Sequence, residues 1–88
     1  MRVLYGKLVA KSVEKHRLPE NVWDDFRDSF EALAQSRNFR LFDIKKLQGK
    51  GAKTYYRMRI RDYRALFRMD GDLIYVEDIG PRGRIYKS

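Results

Sequence analysis

The sequence predicts an α+β fold, with an N-terminal strand and a two-helix hairpin packed on an antiparallel three- to four-stranded twisted sheet. Three observations predict it. Apolar residues recur at helical spacing through roughly the first forty positions, they alternate at strand spacing after about position 53, and Asp70-Gly71, a dipeptide favoured in tight primed hairpin turns, divides the second alternating stretch. A run of helices followed by a run of strands buries the helices on one face of the sheet and leaves the other face open. At 88 residues there is surface for one modest core, so residues 1–88 are read as a single domain.

Each element has a local reason. Val3, Leu4 and Tyr5 form a short apolar run that Gly6 ends, and this is the expected first strand. Leu8, Val9, Ser12, Val13 and His16 then fall on one helical face over 7–17, and Leu18-Pro19 closes that helix because the residue before proline avoids the helical region. Pro19 suits the first turn of a second helix. There Val22, Trp23, Phe26, Phe30, Leu33 and Ala34 make one apolar stripe, which reads as core, and Arg37-Asn38 marks the end. From 38 to 53 the pattern is irregular, with Phe39, Leu41, Phe42, Ile44 and Leu47 as apolar anchors in a connection from helix to sheet. Strands are expected over 53–60, 63–69 and 73–79. Gly80-Pro81 is expected to stop the last of them, turning the tail away before Ile85-Tyr86.

Charge narrows the partner. The net charge is +8, twelve of the twenty cations are arginine, and between positions 37 and 68 there are eleven Lys or Arg against two acids, Asp43 and Asp62. Such a chain repels itself unless an anion is often present, and arginine grips phosphate with a planar fork where lysine offers a point charge. Strand alternation puts Tyr55, Arg57, Arg59 and Arg61 on one side, and Tyr56, Met58 and Ile60 on the other. One face reads as core and the other as a line of guanidinium groups.

Several function classes are set aside. With no cysteine there is neither a disulfide framework nor a cysteine zinc site, which favours a cytoplasmic setting. No apolar stretch approaches the roughly 18 residues of a membrane span, and no membrane partner is expected. Asp24, Asp28 and Glu31 share a helix face without a histidine or loop carboxylate, so no metal is expected, and no cofactor either. The Gly49-Lys50-Gly51-Ala52-Lys53-Thr54 stretch lacks the glycine pattern of a phosphate loop. Ser12 and His16 are four apart but have no orienting carboxylate, so they make no triad. Tyr55, Tyr56 and Tyr63 are ordinary strand residues, at least two of which are expected to pack.

Read in order, Phe42-Asp43-Ile44-Lys45-Lys46-Leu47-x-Gly49, Tyr56-Arg57-x-Arg59-Ile60-x-Asp62-Tyr63-Arg64, the Asp70-Gly71 hairpin and Gly80-Pro81-Arg82-Gly83-Arg84-x-Tyr86-Lys87 resemble the RelE toxins of the RelE/ParE superfamily, most of all the archaeal branch. The resemblance implies a RelE-like fold and a toxin of a type II toxin-antitoxin system that cleaves mRNA in the ribosomal A site and inhibits translation. It also implies neutralisation by a cognate RelB-like antitoxin in a toxin-antitoxin hetero-oligomer, with ribosome and mRNA as the other partners. Carried over position by position, the catalytic residues are Arg57, Arg59, Arg64, Arg82 and Tyr86. Arg61, Lys45, Lys46, Lys53 and Arg84 are expected to bind RNA.

The chemistry can be tested against these residue types. Cleavage through the RNA's own 2′-hydroxyl needs a proton acceptor, stabilisation of a highly negative phosphorane, and protonation of the departing 5′-oxygen. Arginines supply the second and cannot act as base. The only histidine, His16, belongs to the first helix, so a histidine-pair mechanism does not fit. Some relatives carry lysines where Arg57 and Arg59 stand, and this chain departs from them there. The Tyr86 phenol is the nearest candidate for proton transfer. Two other functions compete: a ParE-like inhibitor of DNA gyrase, against which the placed arginines argue, and a non-catalytic RNA-binding module, which leaves the tail motif unexplained.

Overall fold

The structure, a computed structural model, describes residues 1–47 and 54–81. In chain order it contains β1 (Arg2–Tyr5), α1 (Lys7–Glu14), α2 (Glu20–Ser36), a short 3-10 turn (Phe39–Leu41), β2 (Ile44–Leu47), β3 (Tyr55–Ile60), β4 (Tyr63–Asp70) and β5 (Leu73–Pro81). The sheet order is β1-β5-β4-β3-β2. Every neighbouring pair is antiparallel except β1 and β5, which run parallel with Leu4 opposite Tyr75.

Both helices lie on one face. Val22, Phe26, Phe30, Leu33 and Ala34, the residues spaced to share one side of α2, are buried, and from α1 Val9 and Ser12 join them. They meet Met58, Ala65, Phe67, Ile74, Val76 and Ile79, the inward set of β3, β4 and β5. The centre is aromatic: Phe30 meets Phe67 edge-on at 5.2 Å, and Phe67 stacks on Tyr56 at 5.5 Å. Rings in these arrangements add roughly 0.5–1.5 kcal/mol each beyond their burial. Trp23, expected in the core stripe, is half-buried at its margin and packs edge-on to Tyr5 at 5.0 Å.

The α+β class is as expected, and the structure differs from expectation in four places, three of them in the sheet. The 38–53 connection contains a fifth strand, β2, which pairs with β3. Adjacent Lys45 and Lys46 break the alternation there, and what makes the strand is backbone pairing along an exposed sheet edge rather than side-chain burial. The last strand continues through Gly80 to Pro81 instead of stopping before them. Because β1 reaches only Val76, one side of β5 has no ladder beyond that point for a proline to interrupt. In the β4–β5 hairpin Asp70 pairs with Leu73, so the two loop residues are Gly71 and Asp72. Gly71 alone has positive φ, +59°, as a II′ turn requires at its first central position.

Finally, α1 stops at Glu14, short of the expected 17. His16 adopts φ +54°, and the amides of His16 and Arg17 donate to the carbonyls of Val13 and Ser12 at 3.2 and 2.8 Å. That is the Schellman ending, with histidine where glycine is usual. Among the described residues no helix is long and apolar enough to cross a membrane.

Candidate nucleic-acid interface

Residues directly opposite on neighbouring antiparallel strands project from the same side of the sheet. The register therefore assembles the face opposite the helices into cross-strand rows. Arg59 lies opposite Arg64, and Arg64 opposite Gly80. In the next row Lys45, Arg57, Leu66 and Asp78 stand side by side across β2, β3, β4 and β5. A third row holds Leu47, Tyr55, Arg68 and Tyr75. Successive rows are two residues apart, about 6.6–6.8 Å, along β2, β3 and β4, whereas on β5 an irregularity opposite Leu66 and Phe67 leaves Asp78 and Tyr75 three residues apart.

Three of the five expected catalytic residues, Arg57, Arg59 and Arg64, thus converge on one face from two strands. Arg57 is largely covered, with 14% of its side chain exposed, whereas Arg59 is half exposed. The Arg64 Nε is shielded from solvent. Arg82 and Tyr86 lie outside the described residues, as do Lys53 and Arg84. The last described residue, Pro81, sits opposite Tyr63, next to Arg64 in β4.

The expected RNA contacts divide. Lys45 shares the face and row of Arg57. Lys46 pairs with Tyr56, whose ring stacks in the core, so its side chain leaves from the helix side of the sheet. Arg61 does not extend the line of Arg57 and Arg59. The strand ends at Ile60, Arg61 turns with φ +53°, and its Nη2 bonds Asp25 of α2 at 2.7 Å. A two-residue turn ends the alternation that would have placed it on the open face.

One residue that was quoted in a motif but carried no expected role is central. Asp43 holds Arg57 and Arg59 together: Nη1 of Arg57 donates to its Oδ1 at 3.1 Å and Nε of Arg59 to its Oδ2 at 2.8 Å. Removal from water pushes this carboxyl up, but the hydrogen bond from Arg57 and the charges of Arg59 and Arg57 outweigh it, so the net shift is downward and Asp43 stays ionised. The available signal was that Asp43 is one of only two acids between positions 37 and 68. Further along the face Arg68 is spoken for. Its Nε donates to Glu77 at 3.1 Å and its guanidinium lies 4.7 Å from the Tyr75 ring centre.

A helical hairpin packed on one side of a five-stranded sheet, with arginines gathered on the other, is an α+β domain that presents a cationic sheet face. The family of ParE toxins of type II toxin-antitoxin systems (parDE) matches residues 3–86. Among solved structures the chain is similar to the archaeal RelE of the RelE-RelB complex from Pyrococcus horikoshii OT3, at 31% identity and TM-score 0.74, covering 94% of this chain and 96% of that one. It is also similar to a chain of the RelB-RelE antitoxin-toxin complex from Methanococcus jannaschii, at 27% identity and TM-score 0.74 over 94% of each chain. The E. coli DinJ-YafQ complex shares the fold, with 13% identity and TM-score 0.69 over 99% of this chain and 100% of that one. No curated protein sequence matches. The chain belongs to the RelE/ParE superfamily of type II toxins, on its archaeal RelE side.

Proposed function

We propose that this toxin is a metal-independent, ribosome-dependent endoribonuclease that cuts mRNA in the A site and so inhibits translation. The observation that carries the reading is the cross-strand pairing of Arg59 with Arg64, with Arg57 one row away on the same face. Three guanidinium groups on one rigid sheet surface suit a phosphodiester that gains negative charge as it reacts. In the reaction the 2′-oxygen bonds to the adjacent phosphorus and the bond from phosphorus to the 5′-oxygen breaks, leaving a 2′,3′-cyclic phosphate and a 5′-hydroxyl. The arginines stabilise the phosphorane between these events, joined by Arg82 from the tail, while Lys45, Lys53 and Arg84 hold the flanking backbone. Tyr86 takes part in proton transfer. His16 is remote, since it follows α1 on the helix side of the sheet. With arginine unable to act as base, the ribosome supplies the remaining proton-transfer group, and that is the chemical reason for ribosome dependence.

The same reading gives the toxin a RelB-like antitoxin as partner in a hetero-oligomer, because the two archaeal relatives are toxin-antitoxin complexes by name. A second reading, contact inhibition of DNA gyrase, is favoured by the ParE name of the matching family. Primer extension on translated mRNA after toxin induction separates them. New 5′ ends in register with codons support cleavage. Intact mRNA together with inhibited supercoiling supports the gyrase reading and overturns the first.

A further inference from the structure

Asp43 is held at three points. The Ile44 amide donates to the Phe42 carbonyl at 3.0 Å, closing a three-residue turn centred on Asp43. The Asp43 carbonyl accepts from the Arg59 amide at 3.0 Å, tying this turn to β3 where the β2 ladder ends. The carboxylate then uses one oxygen for each arginine. Arg59 is gripped through Nε, one of the five N–H donors that its guanidinium carries. Without Asp43, two cations two residues apart on one strand face would repel and splay, and two long side chains would regain their rotamer freedom.

We propose that Asp43 is a positioning residue for RNA cleavage: it aims the Arg57 and Arg59 guanidinium groups at the scissile phosphate before substrate arrives. This rests on the endoribonuclease reading above. Electrostatic stabilisation works best when donors need no reorganisation as charge develops, and a bridging carboxylate on a pinned backbone provides that for both forks at once. An ordinary surface ion pair would be worth little and would leave the rate untouched. The asymmetry of exposure fits the role, with Arg57 covered and Arg59 half open to solvent beside a half-open carboxylate.

The test is single-turnover cleavage of mRNA on programmed ribosomes, with the toxin concentration varied, for wild type, Asp43→Asn and Asp43→Glu. Asp43→Asn keeps the shape and removes the charge. Its maximal rate is expected to fall about 10- to 100-fold, the scale on which misplacement by about 1 Å is felt, while half-saturation moves less than about threefold. Binding to ribosomes carrying a 2′-deoxy mRNA that cannot be cut is expected to stay as tight or become tighter, because the toxin has lost a negative charge. Asp43→Glu, which keeps the carboxylate and moves it by one methylene, is expected to recover part of the rate.

An Asp43→Asn protein that cuts at the wild-type rate or faster overturns the inference, since the carboxylate would then be a placeholder that phosphate displaces. A loss lying wholly in half-saturation overturns it too. If thermal melting shows Asp43→Asn to be unfolded, Asp43→Glu decides: a lowered maximal rate at unchanged half-saturation supports positioning, and a wild-type rate refutes it. Wild-type toxin that leaves ribosome-bound mRNA intact refutes the cleavage reading itself, an outcome visible before any variant is compared.

Discussion

Replacing Tyr5 by Phe should make the protein more stable. The Tyr5 hydroxyl is buried at the junction of β1 and α2, between Trp23 at 5.0 Å and Phe30 at 6.4 Å, and no hydrogen-bond partner reaches it among the described residues. An orphaned buried polar group costs about 1–3 kcal/mol, and removing it while keeping the ring leaves the packing intact. Because Tyr5 is a partly buried residue at the margin of the core, the lower end applies, about 1 kcal/mol. For a chain of this size that is a rise in Tm of about 4–8 °C. A second readout comes from pH. Burial pushes the phenol up to about 12, with Glu31 and Asp28 adding to the shift and Arg27 opposing it. The sign follows from the folded state holding its proton longer than the unfolded one. Stability from this group is full below pH 10 and is lost as pH rises towards 12. Thermal melts of wild type and Tyr5→Phe from pH 7 to 11.5 should therefore diverge further above pH 10. A variant with a lower Tm at pH 7, or with an unchanged alkaline slope, would refute the account of the orphaned hydroxyl.

Other outcomes follow from the site and the turns. Arg64→Ala and Arg82→Ala should each reduce cleavage of ribosome-bound mRNA by roughly 10²–10³-fold, the effect of losing one charge-stabilising donor, with the circular dichroism spectrum unchanged. Near-normal cutting by either would remove that residue from the site. Gly6→Ala should cost about 1–3 kcal/mol by overpacking, because the new Cβ would lie 2.8 Å from the Tyr75 hydroxyl and 3.2 Å from the Val76 carbonyl. Adding Tyr75→Phe should recover part of that loss in a double-mutant melt, and purely additive costs would show that the hydroxyl is not the obstacle. Arg61→Gly sets two effects against each other. Relief of the left-handed turn residue is worth about 1–2 kcal/mol, and the half-exposed pair with Asp25 at most about 1. Tm should hold or rise and cleavage should persist. A clear fall in Tm would show that the ion pair dominates.

How much of this was legible in the sequence depended on how local the cause was. The stripe from Val22 to Ala34 reads directly as a buried helix face because helical periodicity is a property of adjacent residues, and the structure buries five of its six members. The inward set of β3 and the outward pair Arg57 and Arg59 follow from the two-residue period in the same way. Arg61 was misread because a periodic argument cannot tell where a strand stops and a left-handed turn begins. β2 was missed because its stability comes from pairing with β3 rather than from its own pattern. Lys45 and Lys46 look equivalent in sequence, yet one residue of register sends them to opposite faces.

On its own the sequence determined the α+β class, the faces of the helices and the excess of arginine over acid. These rest on composition and on spacings of two to four residues, which are set by backbone geometry alone, whereas the candidate catalytic cations were named from the resemblance of its motifs to RelE toxins. Only the tertiary structure decided that Arg59 stands opposite Arg64, that β1 lies parallel beside β5, and that Asp43 reaches Arg57 and Arg59 from fourteen and sixteen residues away. Those are pairings across the sheet, fixed by strand register and by the core that holds it, and the short-range pattern of the chain does not encode them.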